Sequence, residues 1–389
     1  MQPVNPLKLV ELPQLGCPKG PGGKRPSDAL GKPRTKRAAS VRKPLFLRMQ
    51  TGLVAISSLA VMSCGWFRSS INNSPGLRWW LFSNFGAQKI CPQVLSSGIG
   101  LRLNSGEPIV GRFFPNRCEQ RVDDSRQTVT VAFGGTGFAW TPVAGRMGFA
   151  AQAAVEYKMD FRMTDDAIYV FGVPASTPAP PQFQLGAVEN KVVDWAAKSP
   201  VGYLANIFGT QILASQLAAG FTVVRTDNGD EFTLGHLEPP ARAPQPFGLS
   251  GSDRVLYAND TTLLHPGQID VLGPFQVTEN GQALYLRFQV EGAAIEGLLW
   301  PKAVIDPWRE GLQTGTPLMS PPQPPLGGFA LNPGVSQQRV PLARGVYVLI
   351  LDETSQLGTM NPPFNPLGML GAAGASRVSY AVELGDANP

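Results

Sequence analysis

The sequence is 389 residues long, and 43% of the residues are hydrophobic while 16% are charged. This balance excludes an intrinsically disordered chain, and the length allows two or three domains. The 43 Gly and 37 Pro indicate many turns between short strands rather than long helices. The formal net charge of +5 raises nucleic acid as a partner, so the position of the charges has to be checked.

The positive charge lies in the first 63 residues. That segment holds eleven Lys or Arg against two acids, Glu11 and Asp28, which leaves 22 basic and 26 acidic residues in 64–389. The body of the protein is therefore mildly acidic, and we expect no nucleic-acid partner. Residues 1–40 are rich in Pro, Gly and Lys or Arg and lack periodicity. They are typical of an unstructured segment, which is either a basic nucleic-acid-binding arm or the product of a start codon placed too early, and we favour the second, with Val41 as the true start.

Residues 41–63 have the arrangement of basic and apolar residues that is typical of an export signal. Arg42, Lys43 and Arg48 precede the uncharged run Leu53–Met62. About ten apolar residues are too few to span a bilayer, but they suit the hydrophobic core of a secretory signal peptide. The sequence therefore predicts export.

The end of this run resembles the lipobox of bacterial lipoproteins. Val61-Met62-Ser63-Cys64 has a branched apolar residue, a tolerant position, a small residue and then the cysteine that is acylated. The resemblance implies lipidation of Cys64 and lasting membrane anchoring, and Gly65 in place of Asp implies the outer membrane. An ordinary signal peptide cleaved after Ser63 is the alternative.

Residues 64–90 are predicted to be a membrane-proximal tether. They contain several aromatic side chains, Trp66, Phe67, Trp79, Trp80, Phe82 and Phe85. Such residues either lie among lipid headgroups or pack on the first domain.

Two cysteines remain in the exported body, Cys91 and Cys118. An isolated pair in an oxidising compartment predicts a disulfide, worth roughly 3.6 kcal/mol in the chain-entropy model. The two histidines, His236 and His265, lie near no cysteine, so we expect no metal or cofactor site.

Residues 91–236 are predicted to be an antiparallel β domain with one buried helix. From Met147 to Met163 every odd position is apolar, which is the period of a half-buried strand. A turn at 164–166 leads to a strand over 167–171, and Phe183 begins another. A helix is predicted over 200–219, between Ser199-Pro200 and Gly220. Its polar residues favour packing on the sheet over crossing a membrane, and a hairpin follows over 221–235.

The element order of 125–236 resembles the tubular lipid-binding fold. That resemblance implies a groove for an acyl chain, and the side chains that would line it are Met147, Phe149, Val155, Phe161 and Leu213. The alternative, which we favour, is that these side chains form a solid core.

Residues 237–250 are a proline-rich linker, and residues 251–389 are predicted to be a β-sandwich. The predicted strands are 254–258, 261–264, 269–272, 283–290, 340–342, 346–351 and 378–384, with a Pro/Gly-rich insertion over 313–334. The segment Pro341–Asp352 resembles the penultimate strand of secreted jelly-roll modules such as the pre-peptidase C-terminal type. This resemblance implies an accessory binding domain rather than a catalyst.

The sequence offers no convergent catalytic group. Gly134–Gly137 follows a strand but lacks the Lys-Ser/Thr of a phosphate loop, so a turn is preferred. Asp123-Asp124 and Asp165-Asp166 are typical of turns rather than of calcium loops. We expect a mainly β envelope lipoprotein with a non-catalytic binding or structural role and a protein or glycan partner. A lipid carrier is the first alternative, and a hydrolase whose site is not recognised is the second.

Overall fold

The computed structural model describes residues 67–96, 98–102, 106–141, 145–189, 214, 216–248, 254–313, 318–359 and 374–387. The chain divides into two compact units, Met1–Ser74 and Pro75–Pro389. In the first unit the described residues are 67–74, of which 67–72 are helical. Cys64 and the predicted signal lie outside the described residues.

The second unit begins with short helices and continues as β-structure. The helices are α1 (Pro75–Leu81), a π-helical turn (Phe82–Gly86), a 3-10 turn (Ala87–Lys89), α2 (Ile90–Ser96) and α3 (Lys302–Gln313). The strands are β1 (Ile99–Leu101), β2 (Gly111–Asp123), β3 (Thr128–Thr141), β4 (Gly145–Met163), β5 (Ile168–Val188), β6 (Phe221–Thr226), β7 (Gly229–Leu234), β8 (Val255–Leu264), β9 (Ile269–Val277), β10 (Gln282–Glu291), β11 (Ile295–Pro301), β12 (Gly327–Leu331), β13 (Gly334–Leu342), β14 (Gly345–Asp352) and β15 (Ser376–Asp386). The predicted mainly β fold class is confirmed.

The first sheet is an antiparallel meander in which β1 to β7 lie side by side in chain order. The alternation predicted over 147–163 is confirmed in β4, where Phe149, Val155 and Phe161 are buried while Gln152 and Lys158 are exposed. Apolar residues at every second position give one buried face because successive side chains of a strand point to opposite faces of the sheet. The predicted hairpin of β6 and β7 is also present.

β5 is one strand of 21 residues, where the sequence predicts two. It pairs with β4 along its length, but it pairs with β6 only over Ile168–Gly172. The part after Gly172 includes the prolines of 174–181. Among the described residues this part of β5 is paired on one side, and a proline N–H that is missing from the other side breaks no ladder hydrogen bond there.

The glycines at 134–137 lie inside β3, so the predicted turn there is wrong. A Cβ on Gly135 would lie 2.2 Å from the carbonyl oxygen of Phe114, and one on Gly137 would lie 2.4 Å from that of Arg112. Neither position has room for a side chain, because β2 approaches β3 closely at a register shift beside Pro115.

The predicted helix over 200–219 lies mostly outside the described residues. Residues 216–218 are helical, and Gly220 follows with a φ of 69°, the left-handed conformation that commonly ends a helix. In the described ranges, no helix combines the length and the apolar character needed to cross a membrane.

β8 to β15 form a jelly roll. Two four-stranded sheets have the orders β13-β10-β15-β8 and β12-β11-β14-β9, and the chain passes repeatedly from one to the other, as in the double-sheet jelly roll. Their facing side chains make the main core, which includes Leu286, Phe288, Leu349 and Val382. The predicted β-sandwich is confirmed.

The β12-β11-β14-β9 sheet is buried on both faces. Its second face packs against α3 and against Phe138 and Trp140 of β3, and this second core contains Trp300, Val348 and Ile350. Burial on both faces explains the consecutive apolar residues Leu298–Trp300 of β11 and Val346–Leu351 of β14, which an antiparallel strand with one wet face would not have. The sequence predicts neither β11, β12 nor α3, and it divides β8 in two.

Polar contacts also join the first sheet to the jelly roll. Arg112 of β2 forms a bidentate ion pair with Asp270 of β9, at 2.6 and 2.9 Å, and donates to the hydroxyl of Tyr380 at 2.8 Å. The indole N–H of Trp140 donates to the carbonyl oxygen of Ile269 at 2.9 Å.

Candidate functional site

The solvent side of the β13-β10-β15-β8 sheet, here called the outer face, carries a group of polar side chains. Leu284, Leu286 and Phe288 of β10 point into the core, so the intervening residues point outward. The register places outward-facing residues of neighbouring strands side by side. These residues are Thr261, Tyr285, Arg287, Gln289, Gln337, Arg339, Arg377 and Ser379.

Arg254, which precedes β8, lies across this face. Its guanidinium carbon is 3.5 Å from the centroid of the Tyr285 ring, within range of a cation–π interaction. A nitrogen of the same group lies 3.7 Å from the buried carboxylate of Glu383. The Tyr285 hydroxyl in turn donates to the carbonyl oxygen of Asp386 at 2.5 Å. Arg254 is therefore held in one position while part of its guanidinium remains accessible.

The end of the proline-rich linker forms a wall beside the outer face. Asn259 of β8 donates to the side-chain oxygen of Gln245 and to the carbonyl oxygen of Phe247, both at 2.8 Å. Phe247 is buried there, and the guanidinium of Arg287 lies 5.8 Å from the centre of its ring. A second arginine is thus supported by an aromatic ring.

The outer face carries more positive than negative charge. Its cations are Arg254, Arg287, Arg339 and Arg377, and its acids are Glu291 and Glu383. A planar guanidinium binds a carboxylate or a phosphate through two parallel N–H donors. With the amides and hydroxyls around it, this surface offers donors to an anionic, hydroxyl-rich ligand.

Buried acids occupy another part of the jelly roll. Glu296 of β11 lies opposite Asp352 of β14 and accepts hydrogen bonds from the backbone and hydroxyl of Thr359 at 2.7 and 2.9 Å. Burial raises the pKa of Asp352 to about 6 and that of the adjacent Glu353 to about 8. No sequence pattern marks this group, because burial of these acids depends on the packing around the ends of the strands.

The predicted disulfide is present. Cys91 of α2 is bonded to Cys118 of β2, with their Cα atoms 5.4 Å apart. The bond attaches α2 to the first sheet. Cys64, the predicted lipidation site, lies outside the described residues.

Four of the five predicted groove residues lie on one face of β4. Phe149 is buried, and its ring centre lies 4.9 Å from that of Phe183 and 6.4 Å from that of Phe113. Val155 and Phe161 are also buried, and Met147 is half-buried. Leu213 lies outside the described residues. The lipid-carrier function stays a prediction, and it rests on these apolar side chains of β4.

The two histidines and Asp123 make local contacts. His236 bonds Glu238 at 2.8 Å, and burial lowers the pKa of His265. The two histidines follow strands of different sheets. Asp123 accepts hydrogen bonds from the backbone N–H groups of Ser125 and Arg126, which is turn chemistry. Within the described ranges, no three His, Cys, Asp or Glu residues are grouped so that they would hold a metal ion.

No protein-family model matches the chain, and no curated protein matches it.

Proposed function

We propose that this chain is a lipid-anchored protein of a bacterial outer membrane that acts by binding, and that the outer face of its jelly roll takes an acidic glycan. The observation that carries the proposal is the set of four arginines on one sheet face of a body that is otherwise mildly acidic. Two of the four are positioned by aromatic rings.

A glycan fits this surface better than a hydrophobic protein partner does. The exposed side chains beside the arginines are amides such as Gln337, and the hydroxyls of Thr261 and Ser379 lie 3.0 Å apart on the same face. Sugar hydroxyls pair with amides and hydroxyls, while uronate or phosphate groups pair with guanidinium. Protein interfaces, in contrast, have cores enriched in aromatic residues and Met.

The glycan proposal is tested by removing two outer-face charges. Arg287→Gln with Arg339→Gln is expected to weaken binding of the full chain to polygalacturonate about tenfold or more, because each charge-assisted hydrogen bond is worth about 1.5–3 kcal/mol. Binding is measured by affinity electrophoresis, with uncharged dextran as the comparison polysaccharide.

The matched control is Arg121→Gln with Arg162→Gln, which makes the same charge change on the first sheet. We expect it to leave binding within about twofold. Equal weakening by both double variants would show a general charge effect and reject the outer face as the site. Binding of an envelope protein rather than any polysaccharide would replace the glycan with a protein partner.

The anchor is tested at Cys64. The lipobox-like run Val61–Cys64 supports acylation, so cells fed radiolabelled palmitate are expected to label the wild-type protein. The Cys64→Ala variant is expected to lose that label, because no thioether can form. Cys118→Ala serves as the control for loss of a cysteine elsewhere. Equal labelling of wild type and Cys64→Ala would reject the lipoprotein assignment.

A further inference from the structure

The helical segment 75–96 exposes large apolar side chains. Trp80 is 53% exposed, Phe85 is 45% exposed and Leu77 is 37% exposed. The rings of Trp80 and Phe85 meet edge to face with their centres 5.9 Å apart. These three residues, here called the aromatic ridge, form a compact apolar surface where the sequence allows either lipid contact or packing on the domain.

The neighbouring residues of the same segment pack inward and fix its position. Trp79 and Phe82 are buried, and the Trp79 indole donates to Asp124 at 2.9 Å. Arg78 forms a bidentate pair with Asp160 of β4 at 2.6 and 3.1 Å. The disulfide holds the far end of the segment. Since these contacts use one side of the segment, the ridge is presented by a rigid support.

Charge favours a membrane as the occupant of this surface. No Asp or Glu occurs from Pro75 to Gly106, while the same stretch includes the exposed Lys89. Membrane surfaces with anionic headgroups attract positive charge, and Trp and Tyr side chains favour the interface between headgroups and acyl chains. A helical segment with an apolar side and positive charge is the usual form of an interfacial anchor.

We propose that the aromatic ridge inserts into the headgroup region of a phospholipid bilayer and holds the body of the protein against the membrane. The place of the ridge in the sequence agrees with the proposed lipid anchor, because Pro75 follows Cys64 closely in the chain. Insertion of the ridge needs no acyl chain. It is therefore tested in protein that lacks one.

The test uses the full chain carrying Cys64→Ser and sedimentation with vesicles of phosphatidylethanolamine and phosphatidylglycerol. Adding Trp80→Ser and Phe85→Ser is expected to lower the partition coefficient about tenfold or more. The reason is that the variant loses the favourable free energy of moving two half-exposed rings from water into the bilayer. The control is Phe232→Ser with Met319→Ser, which removes two side chains that are 59% and 64% exposed elsewhere. We expect that control to partition like its parent.

Equal partitioning of the ridge variant and its parent would overturn the proposal, since the basic leader would then account for all binding. Absence of vesicle binding by the parent would overturn it as well. A fluorescence measurement checks the same point independently of sedimentation: brominated lipids are expected to quench the parent more strongly than its Trp80→Phe form. Equal palmitate labelling of wild type and Cys64→Ala would reject the anchor and leave these vesicle results unchanged, so the two failures are distinguishable.

Discussion

Replacing Glu353 with glutamine is expected to raise the free energy of unfolding at pH 8. It is also expected to reduce the decrease in that free energy between pH 5 and pH 8. Glu353 is 2% exposed, and neither carboxylate oxygen accepts a hydrogen bond within the described residues. The nearby Ser376 hydroxyl donates instead to the carbonyl oxygen of Ala293 at 3.1 Å. Burial therefore dominates and raises the pKa of Glu353 from 4.5 to about 8.

The direction of the pH effect follows from proton binding. Between about pH 4.5 and pH 8 the folded protein keeps a proton on Glu353 that the unfolded chain has released. The contribution of Glu353 to stability is therefore complete below the unfolded pKa, and it falls as the pH rises through that range, by on the order of 4 kcal/mol. Burial also raises the pKa of Asp352 to about 6. Asp352 therefore adds to the decrease in stability below pH 6. A glutamine side chain in place of Glu353 keeps the neutral shape and cannot ionise.

Urea unfolding at pH 5, 6, 7 and 8 measures this effect. The difference in unfolding free energy between Glu353→Gln and wild type is expected to grow steadily with pH. The exposed Glu279 provides the matched control, and Glu279→Gln is expected to follow the wild-type curve. Parallel curves for wild type and Glu353→Gln would contradict a neutral buried carboxyl.

Alternation and turn chemistry predict much of this fold because they act through local geometry. β4 buries its odd positions from 149 to 161 and exposes Gln152 and Lys158 of its even positions, so the strand carries the pattern along most of its length. The Asn-Gly turn at 228–229 predicts the hairpin of β6 and β7 for the same reason. In β5, pairing with β4 carries the strand past prolines that local rules treat as an end. Pairing with a neighbouring strand therefore determines where β5 ends, because the local β-propensity of its proline-containing part is weak.

The candidate site was beyond local rules for a different reason. The alternation of side chains along β10 predicts that Arg287 points away from the protein core. Only the order of the strands in the sheet brings Arg254, Arg339 and Arg377 to the same face. The disulfide was predictable because the expected export signal leaves two cysteines, Cys91 and Cys118, in the body of the protein and therefore one pairing. No comparable rule exists for arginines, which occur on most solvent-exposed strands.

Removing the guanidinium of Arg112 is expected to be among the most destabilising single changes in the second unit. Arg112, Asp270 and Tyr380 are all buried, and they belong to β2, β9 and β15, so the group ties the first sheet to both sheets of the jelly roll. Arg112→Met would leave the Asp270 carboxylate buried without its partner. Breaking a buried ion pair in this way costs about 3–5 kcal/mol.

A double-mutant cycle separates the ion pair from the loss of packing. Asp270→Leu alone would leave the Arg112 cation unpaired, whereas Arg112→Met with Asp270→Leu removes both charges and replaces them with apolar volume. The double variant is therefore expected to cost less than the sum of the single variants by about 2 kcal/mol or more, as measured by urea unfolding at pH 7.

The pair Arg225–Asp230 on the β6–β7 hairpin is the matched control. It has the same bidentate geometry, at 2.7 and 2.6 Å, but the Arg225 side chain is 50% exposed. Water solvates either partner when the other is removed, so Arg225→Met is expected to cost about 1 kcal/mol or less. If Arg112→Met cost no more than Arg225→Met, the contact between Arg112 and Asp270 would not hold the sheet against the jelly roll. The shared apolar core around Phe138 and Trp300 would then account for their association.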